Sequence, residues 1–142
     1  MHPLFYFHSF IFIYKLSFLK NRKISFLPAN LWLLFITFLL CIPGSNLPSK
    51  FSIEWLNDIW FDKWVHIILF TVLVYLFCWA DFHSKKPIAF YWFAILGVAY
   101  GVLLELVQHF LIPQRSFELG DIVADVIGCL LAVVIAKQKL TK

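Results

Sequence analysis

Residues 101–110 read GVLLELVQHF, and the carboxylate of Glu105 and the carboxamide of Gln108 close an apolar run that begins near Ile88. Twenty residues of helix extend about 30 Å, the thickness of the hydrocarbon core of a bilayer. The run Ile88 to Val107 therefore reads as a membrane-spanning helix with its polar residues at one end. An ionisable group costs about 2.5–3.5 kcal/mol at the middle of a span and less near the interface, so Glu105 needs a partner or a task.

Hydropathy marks three further helices, about Pro28 to Ile42, Trp64 to Ala80 and Ile122 to Ala136. The first and last are short for a span and must borrow flanking residues or thin the bilayer locally. The breaks are distinct: CIPGSNLPSK (41–50) carries two prolines and a glycine, DFHSKKP (81–87) is polar, and LIPQRSFELGD (111–121) combines Pro113, Arg115, Glu118 and Gly120. The expected fold is all-α, a polytopic bundle of four transmembrane helices over residues 26–138. Composition agrees, since 62% of the 142 residues are hydrophobic and 14% charged, against roughly 45–50% and 25% in soluble domains. The net charge is +4, but the basic residues are scattered among apolar runs, which argues against a nucleic-acid surface. Cys41, Cys78 and Cys129 lie in apolar stretches, are odd in number and form no CxxC spacing, so they read as packing residues.

Residues 1–25 form an aromatic and basic extension too short to span. Lys15, Lys20, Arg22 and Lys23 follow its apolar run, the reverse of a signal peptide, so an interfacial segment or a mis-assigned start fits better. These four, Lys85 and Lys86 between spans two and three, and Lys137, Lys139 and Lys142 after span four are nine of the twelve Lys and Arg residues. If all four spans cross, the nine lie on one side, which puts both termini in the cytoplasm. Lys50, Lys63 and Arg115 remain outside with every acidic residue except Asp81. Trp55, Trp60 and Trp64 suit an outer aromatic belt.

This topology gathers polar residues at one depth. Asp62 to His66 and Asp121 to Asp125 each descend about 6 Å from the outer surface, and Glu105 sits about 4–5 Å below Gln108. Asp62, Lys63, His66, Glu105, Gln108, Asp121 and Asp125 thus share a layer, with Arg115 on the loop above. Gly97, Gly101 and Glu105 recur every fourth residue on one face. Asp121 and Asp125 continue into Gly128, Ala132 and Ala136 on another. Small residues let membrane helices approach closely, so the carboxylates extend a packed seam. The GxxxG of Gly97 and Gly101 suits packing within the bundle and dimerisation equally, and the sequence leaves the oligomeric state open.

One explanation of the layer is a network of ion pairs that fixes the bundle, such as Lys63 with Glu105 and Arg115 with Asp121. The other is a site. Glu105, Asp125 and His66 can exchange protons with a substrate, while Lys63 and Arg115 can hold a phosphate. His66, Glu105, His109, Asp121 and Asp125 are conceivable metal donors, but ELVQH is not HExxH and the donors come from different helices. Spacing therefore gives only a weak metal signal, and neither metal nor cofactor is expected. His2, His8 and His83 read as terminal or loop residues, and neither GxSxG nor a P-loop occurs.

The ordered set resembles the VanZ-like family of small bacterial membrane proteins. The matching stretches are DKWVHIILF, with Asp62, Lys63, His66 and Phe70, then YGVLLELVQHF, with Tyr100, Glu105 and Gln108, then RSFELGDIVADVIG, with Arg115, Asp121, Asp125 and Gly128. Asp125 departs from the pattern, which usually has asparagine there. The resemblance implies a multi-pass protein of the bacterial cytoplasmic membrane; the founding member is associated with low-level resistance to teicoplanin, a lipoglycopeptide acting at the outer face on lipid-linked cell-wall precursors. Two readings follow. The first is an envelope protein that binds or remodels a lipid headgroup, a lipid-linked precursor or a lipoglycopeptide, and so gives teicoplanin tolerance. In it Lys63 and Arg115 hold anionic groups, and Asp62, His66, Glu105, Gln108, Asp121 and Asp125 complete the site. The second is an intramembrane hydrolase or transferase on a lipid-linked substrate, using His66 and Glu105.

Overall fold

A computed structural model describes residues 25–43, 61–82, 89–113 and 115–141. Four helices carry nearly all of them: α1 (Leu27–Leu40), α2 (Phe61–Phe82), α3 (Phe90–Leu111) and α4 (Leu119–Leu140). The three long helices have 22 residues each, about 33 Å of rise, and are apolar enough to cross a membrane. α1 is apolar but has 14 residues, about 21 Å. The chain is thus an all-helical membrane-type protein with three helices of spanning length and a shorter fourth. Most of the N-terminal extension, together with Lys50, Trp55, Trp60, His83, Lys85 and Lys86, lies outside the described residues.

Local chemistry sets the helix limits. Pro28 falls in the first turn of α1, where its missing N–H costs nothing. Ile112 is extended, φ −105° and ψ 119°, and ends α3 because the residue before Pro113 is driven from helical backbone. Glu118 is also extended and precedes α4, whose first turn holds Asp121 and whose last turn holds Lys137 and Lys139. Both placements favour the helix dipole. The long helices run past their hydropathic limits because polar residues such as Lys63, Gln108 and Asp121 keep helical backbone.

α2 and α4 lie side by side with their N-termini at the same end, and α3 packs antiparallel to both. The α2–α4 approach is close. A Cβ at Gly128 would lie 2.5 Å from the Ile67 carbonyl oxygen, and Thr71 Oγ1 donates to the Gly128 carbonyl at 3.1 Å. On α3, a Cβ at Gly97 would meet Cys129 Sγ and Val74 Cγ2 at 2.8 Å, and one at Gly101 would meet Asp125 Oδ2 at 2.5 Å. The GxxxG thus serves packing inside the bundle. Cys78 and Cys129 are buried in the same core as Phe70, Leu73, Val74 and Leu104, while Cys41 is half-buried.

Lipid tails compete with any apolar contact, so polar bonds help fix a membrane helix. α1 follows that rule: Trp32 Nε1 donates to the Leu69 carbonyl at 3.1 Å, and Thr37 and Tyr100 share a hydroxyl hydrogen bond of 2.7 Å. Leu34 and Phe38 of α1, Leu96 and Leu103 of α3 and Leu130 of α4 are turned outward.

The two glycine contacts differ in what can yield. Gly128→Ala presses on the Ile67 backbone and should destabilise the bundle by about 1–3 kcal/mol, offset by up to about 1 kcal/mol of helix propensity. Gly97→Ala presses on side-chain tips and should cost less. Thermal unfolding of both variants in detergent checks the order, which reverses if the α2–α4 approach is looser than described.

Candidate functional site

Where α2 and α4 begin and α1 and α3 finish, polar side chains meet against the apolar core. His66, Glu105, Gln108, Asp121 and Asp125 are buried there, Glu105 to 1% exposure. Helical spacing explains the grouping. His66 lies one turn below Asp62, Asp125 one turn below Asp121, and Glu105 and Gln108 share the inner face of α3 with Gly101 and Leu104.

Lys63 is the centre of the rim. Its Nζ lies 2.5 Å from Asp121 Oδ1, 2.6 Å from Glu118 Oε2 and 2.7 Å from Asp62 Oδ2, so the three ammonium protons meet three carboxylates. A Cβ at Gly120 would come within 2.9 Å of the Lys63 stem. Deeper in, His66 Nδ1 lies 2.9 Å from Asp125 Oδ1, and His66 Nε2 lies 3.8 Å from Asp121 Oδ2. The imidazole is parallel to the Phe70 ring, with centroids 6.5 Å apart. Glu105 Oε2 accepts the backbone N–H of Glu118 at 3.1 Å, whereas Oε1 has no hydrogen-bond partner among the described residues.

Two further groups join this end to α1. Gln108 Nε2 donates to the Leu40 carbonyl at 2.8 Å, one of the acceptors that the last turn of a helix leaves open. Arg115 Nε donates to the Ile42 carbonyl at 3.4 Å.

The structure therefore brings Lys63, His66, Glu105, Asp121 and Asp125 together, with Asp62 at the exposed edge. Gln108 and Arg115 lie at the same end but reach toward the end of α1. The ion pairs differ from those the sequence suggested. Lys63 engages Asp62, Glu118 and Asp121 in place of Glu105, and Arg115 forms no ion pair among the described residues, with Asp121 or otherwise. Glu118 read as a loop marker; its signal was its place one turn before Asp121 at the helix start. His109 is exposed and packs edge-on against Phe110 and Phe117. His66, Glu105 and Asp121 each offer a donor atom, all within 4.8 Å of one another, as do Asp62, Glu118 and Asp121 at the rim.

Residues 4–140 match the family model described as VanZ/LLP1, a range that includes the entire polar end and most of the N-terminal segment. The chain is 36% identical over 74 residues to the uncharacterized protein C11E3.10 of Schizosaccharomyces pombe, a match covering 52% of this chain and 45% of that protein. The match thus spans less than half the length of this curated relative. No solved structure matches the chain.

The rim geometry makes Lys63 a structural cation. Lys63→Met leaves Asp121 and Glu118 facing each other without it and should lower stability by about 1.5–3 kcal/mol, the worth of hydrogen bonds to charged groups. Glu118→Gln keeps an acceptor at an exposed position and should cost far less. Thermal unfolding in detergent checks both, and equal melting temperatures for the two variants would remove Lys63 from this role.

Proposed function

Because the chain belongs to the VanZ/LLP1 family and gathers its buried polar groups at one end of apolar helices, we propose that this end binds or remodels an amphipathic ligand at the outer face of a bacterial cytoplasmic membrane. The ligand class is a lipid headgroup, a lipid-linked cell-wall precursor or a lipoglycopeptide. One observation carries the reading: a groove of about 650 Å³ runs between α2 and α4, walled by Trp64, Ile67, Val123, Ile127 and Leu131, with Lys63 and Gly120 at its polar end. Its walls suit an acyl chain, and its end suits the head. Lys63 is already saturated with carboxylates, so among the described residues at this end Arg115 is the cation left for an anionic group, which a guanidinium grips with a two-pronged fork.

The orientation belongs to the same proposal. All four helices cross, both termini are cytoplasmic and the polar end faces outward, supported by the nine basic residues shared by the two termini and the 81–87 connection. The apolar walls of the groove favour the lipid headgroup with its acyl chains as the ligand. Teicoplanin tolerance is then what such binding produces in a bacterial host.

A second reading draws on the His66–Asp125 contact of 2.9 Å. An imidazole oriented by a carboxylate is a general-base arrangement, which suits a hydrolase or transferase acting on a lipid-linked substrate with Glu105 beside it.

In a cysteine-free background, a membrane-impermeant thiol reagent on intact cells should label Ser116→Cys and leave Lys85→Cys unlabelled; the opposite pattern inverts the topology and removes the outward site. In a Gram-positive host at matched membrane levels, the wild type should raise teicoplanin tolerance while Glu105→Ala and Arg115→Ala do not. Equal susceptibility of all three to the vector control overturns the envelope-ligand reading. A lipid profile identical between the wild type and His66→Ala counts against the enzyme.

A further inference from the structure

Three side chains of the polar end share a pattern that hydrogen bonding within the protein leaves incomplete. Each is held from outside by one atom and keeps a second atom for the others. His66 is held at Nδ1 by Asp125 Oδ1 at 2.9 Å, which leaves Nε2. Asp121 is held at Oδ1 by Lys63 at 2.5 Å, which leaves Oδ2. Glu105 is held at Oε2 by the Glu118 N–H at 3.1 Å, which leaves Oε1, buried and without a hydrogen-bond partner among the described residues. His66, Glu105 and Asp121 each offer one donor atom within 4.8 Å of the others, His66 Nε2 lies 3.8 Å from Asp121 Oδ2, and Glu105 is 1% exposed.

Acceptors gathered this closely repel unless something positive lies between them. An imidazole that donates from Nδ1 to Asp125 and carries no second proton presents a lone pair at Nε2. If Nε2 were also protonated, its facing acceptor, Asp121 Oδ2, would be 3.8 Å away, beyond hydrogen-bond range. That gap suits a single ion: two ligands at bond lengths of about 2.0–2.1 Å in a tetrahedral shell are separated by about 3.3 Å. Charge points the same way. Asp62, Glu118 and Asp121 occupy the ammonium of Lys63, while Glu105 and Asp125 lie buried at the same end without contact to it.

We propose that His66 Nε2, Glu105 Oε1 and Asp121 Oδ2 bind a divalent transition-metal ion of the zinc class, with Asp125 as the carboxylate that orients the imidazole. The donor set selects the class. An imidazole nitrogen suits zinc and its neighbours, calcium takes six to eight oxygens, and no cysteine belongs to the trio. Asp125 on His66 Nδ1 is the outer-shell arrangement that fixes a ligating histidine. Three protein ligands leave a position for water or an anionic headgroup oxygen, and the ion supplies the positive charge that an acid-rich end needs to receive an anion. The inference goes beyond the lipid-binding reading without depending on it, because metal binding is measured on the chain alone.

The full chain, purified in detergent and stripped with a chelator, is titrated with zinc against a chromophoric competitor, and with cobalt for its visible absorption. The wild type should bind one zinc, melt at higher temperature when loaded and give the absorption of a low-coordinate cobalt site. Glu105→Gln and His66→Gln should each lose that site. Asp125→Ala should weaken affinity about 10–100-fold, the usual cost of removing an outer-shell partner, and shift the cobalt spectrum, while Asp125→Asn retains an acceptor for Nδ1 and stays near the wild type. Asp62→Asn should leave zinc affinity unchanged, which separates the buried trio from the rim group. Helical circular dichroism confirms that each variant is folded. If the folded wild type takes up no stoichiometric zinc or cobalt, or binds it equally well as Glu105→Gln, the metal site is refuted, and the teicoplanin result stands or falls separately.

Discussion

A carboxylate withdrawn from water into an apolar bundle has to meet a proton donor or a cation, and at the polar end the His66–Asp125 contact of 2.9 Å meets that demand for a carboxylate that is 2% exposed. The contact links α2 to α4 and needs the two backbones to approach closely. Gly128, one turn below Asp125, allows that approach, since a side-chain carbon there would lie 2.5 Å from the Ile67 carbonyl oxygen. Gly101 does the same from α3, where the missing side chain makes room for Asp125 Oδ2. The small-residue seam and the polar end are therefore one construction: without the glycines the helices could not close on the acids, and unpaired acids would give the seam no reason to close.

The long helices and the shared depth of their polar residues were legible in the sequence, because both follow from hydropathy and a constant rise per residue. The pairings were not. Lys63 has four rotatable bonds, and its choice of Glu118 over Glu105 depends on how residues 115–118 fold back over the helix ends, which no periodicity encodes. Gln108 shows a second limit. Its spacing from Glu105 correctly turned it inward, yet its partner is the Leu40 carbonyl, and α1 carries too narrow a pattern of its own for its placement to be read from sequence. Helix ends were misjudged for a related reason: a hydropathy window stops at Asp121, whereas the backbone is already helical at Leu119.

The polar residues divide into those whose hydrogen-bonding capacity is used and those with capacity left over. Lys63 and the carboxamide nitrogen of Gln108 act within the fold, the first on carboxylates and the second on a helix end. Among the described residues, the atoms left over are His66 Nε2, Glu105 Oε1, Asp121 Oδ2 and the terminal nitrogens of Arg115. Leaving a buried acceptor uncompensated is costly, and among the described residues Glu105 Oε1 is such an acceptor.

The position of the site along the membrane normal also bears on mechanism. From His66 to Asp81, the buried acid at the far end of α2, is about 22 Å of helix, and the buried residues between them are Leu69, Phe70, Leu73, Val74, Cys78 and Ala80. On the facing stretch of α4 they are Gly128, Cys129, Ala132 and Ala136. Among the described residues, no Asp, Glu, His, Lys or Arg side chain on this seam offers a hydrated ion or a headgroup a stepping point between the two ends. Translocation by a single chain would need such a point near the midplane, where its insertion cost is greatest and its presence most telling. The seam thus carries apolar and small side chains between its two ends. The α2–α4 groove, walled by Trp64, Ile67, Val123, Ile127 and Leu131, lies beside the polar end, so that apolar walls and polar groups adjoin at one end of the bundle.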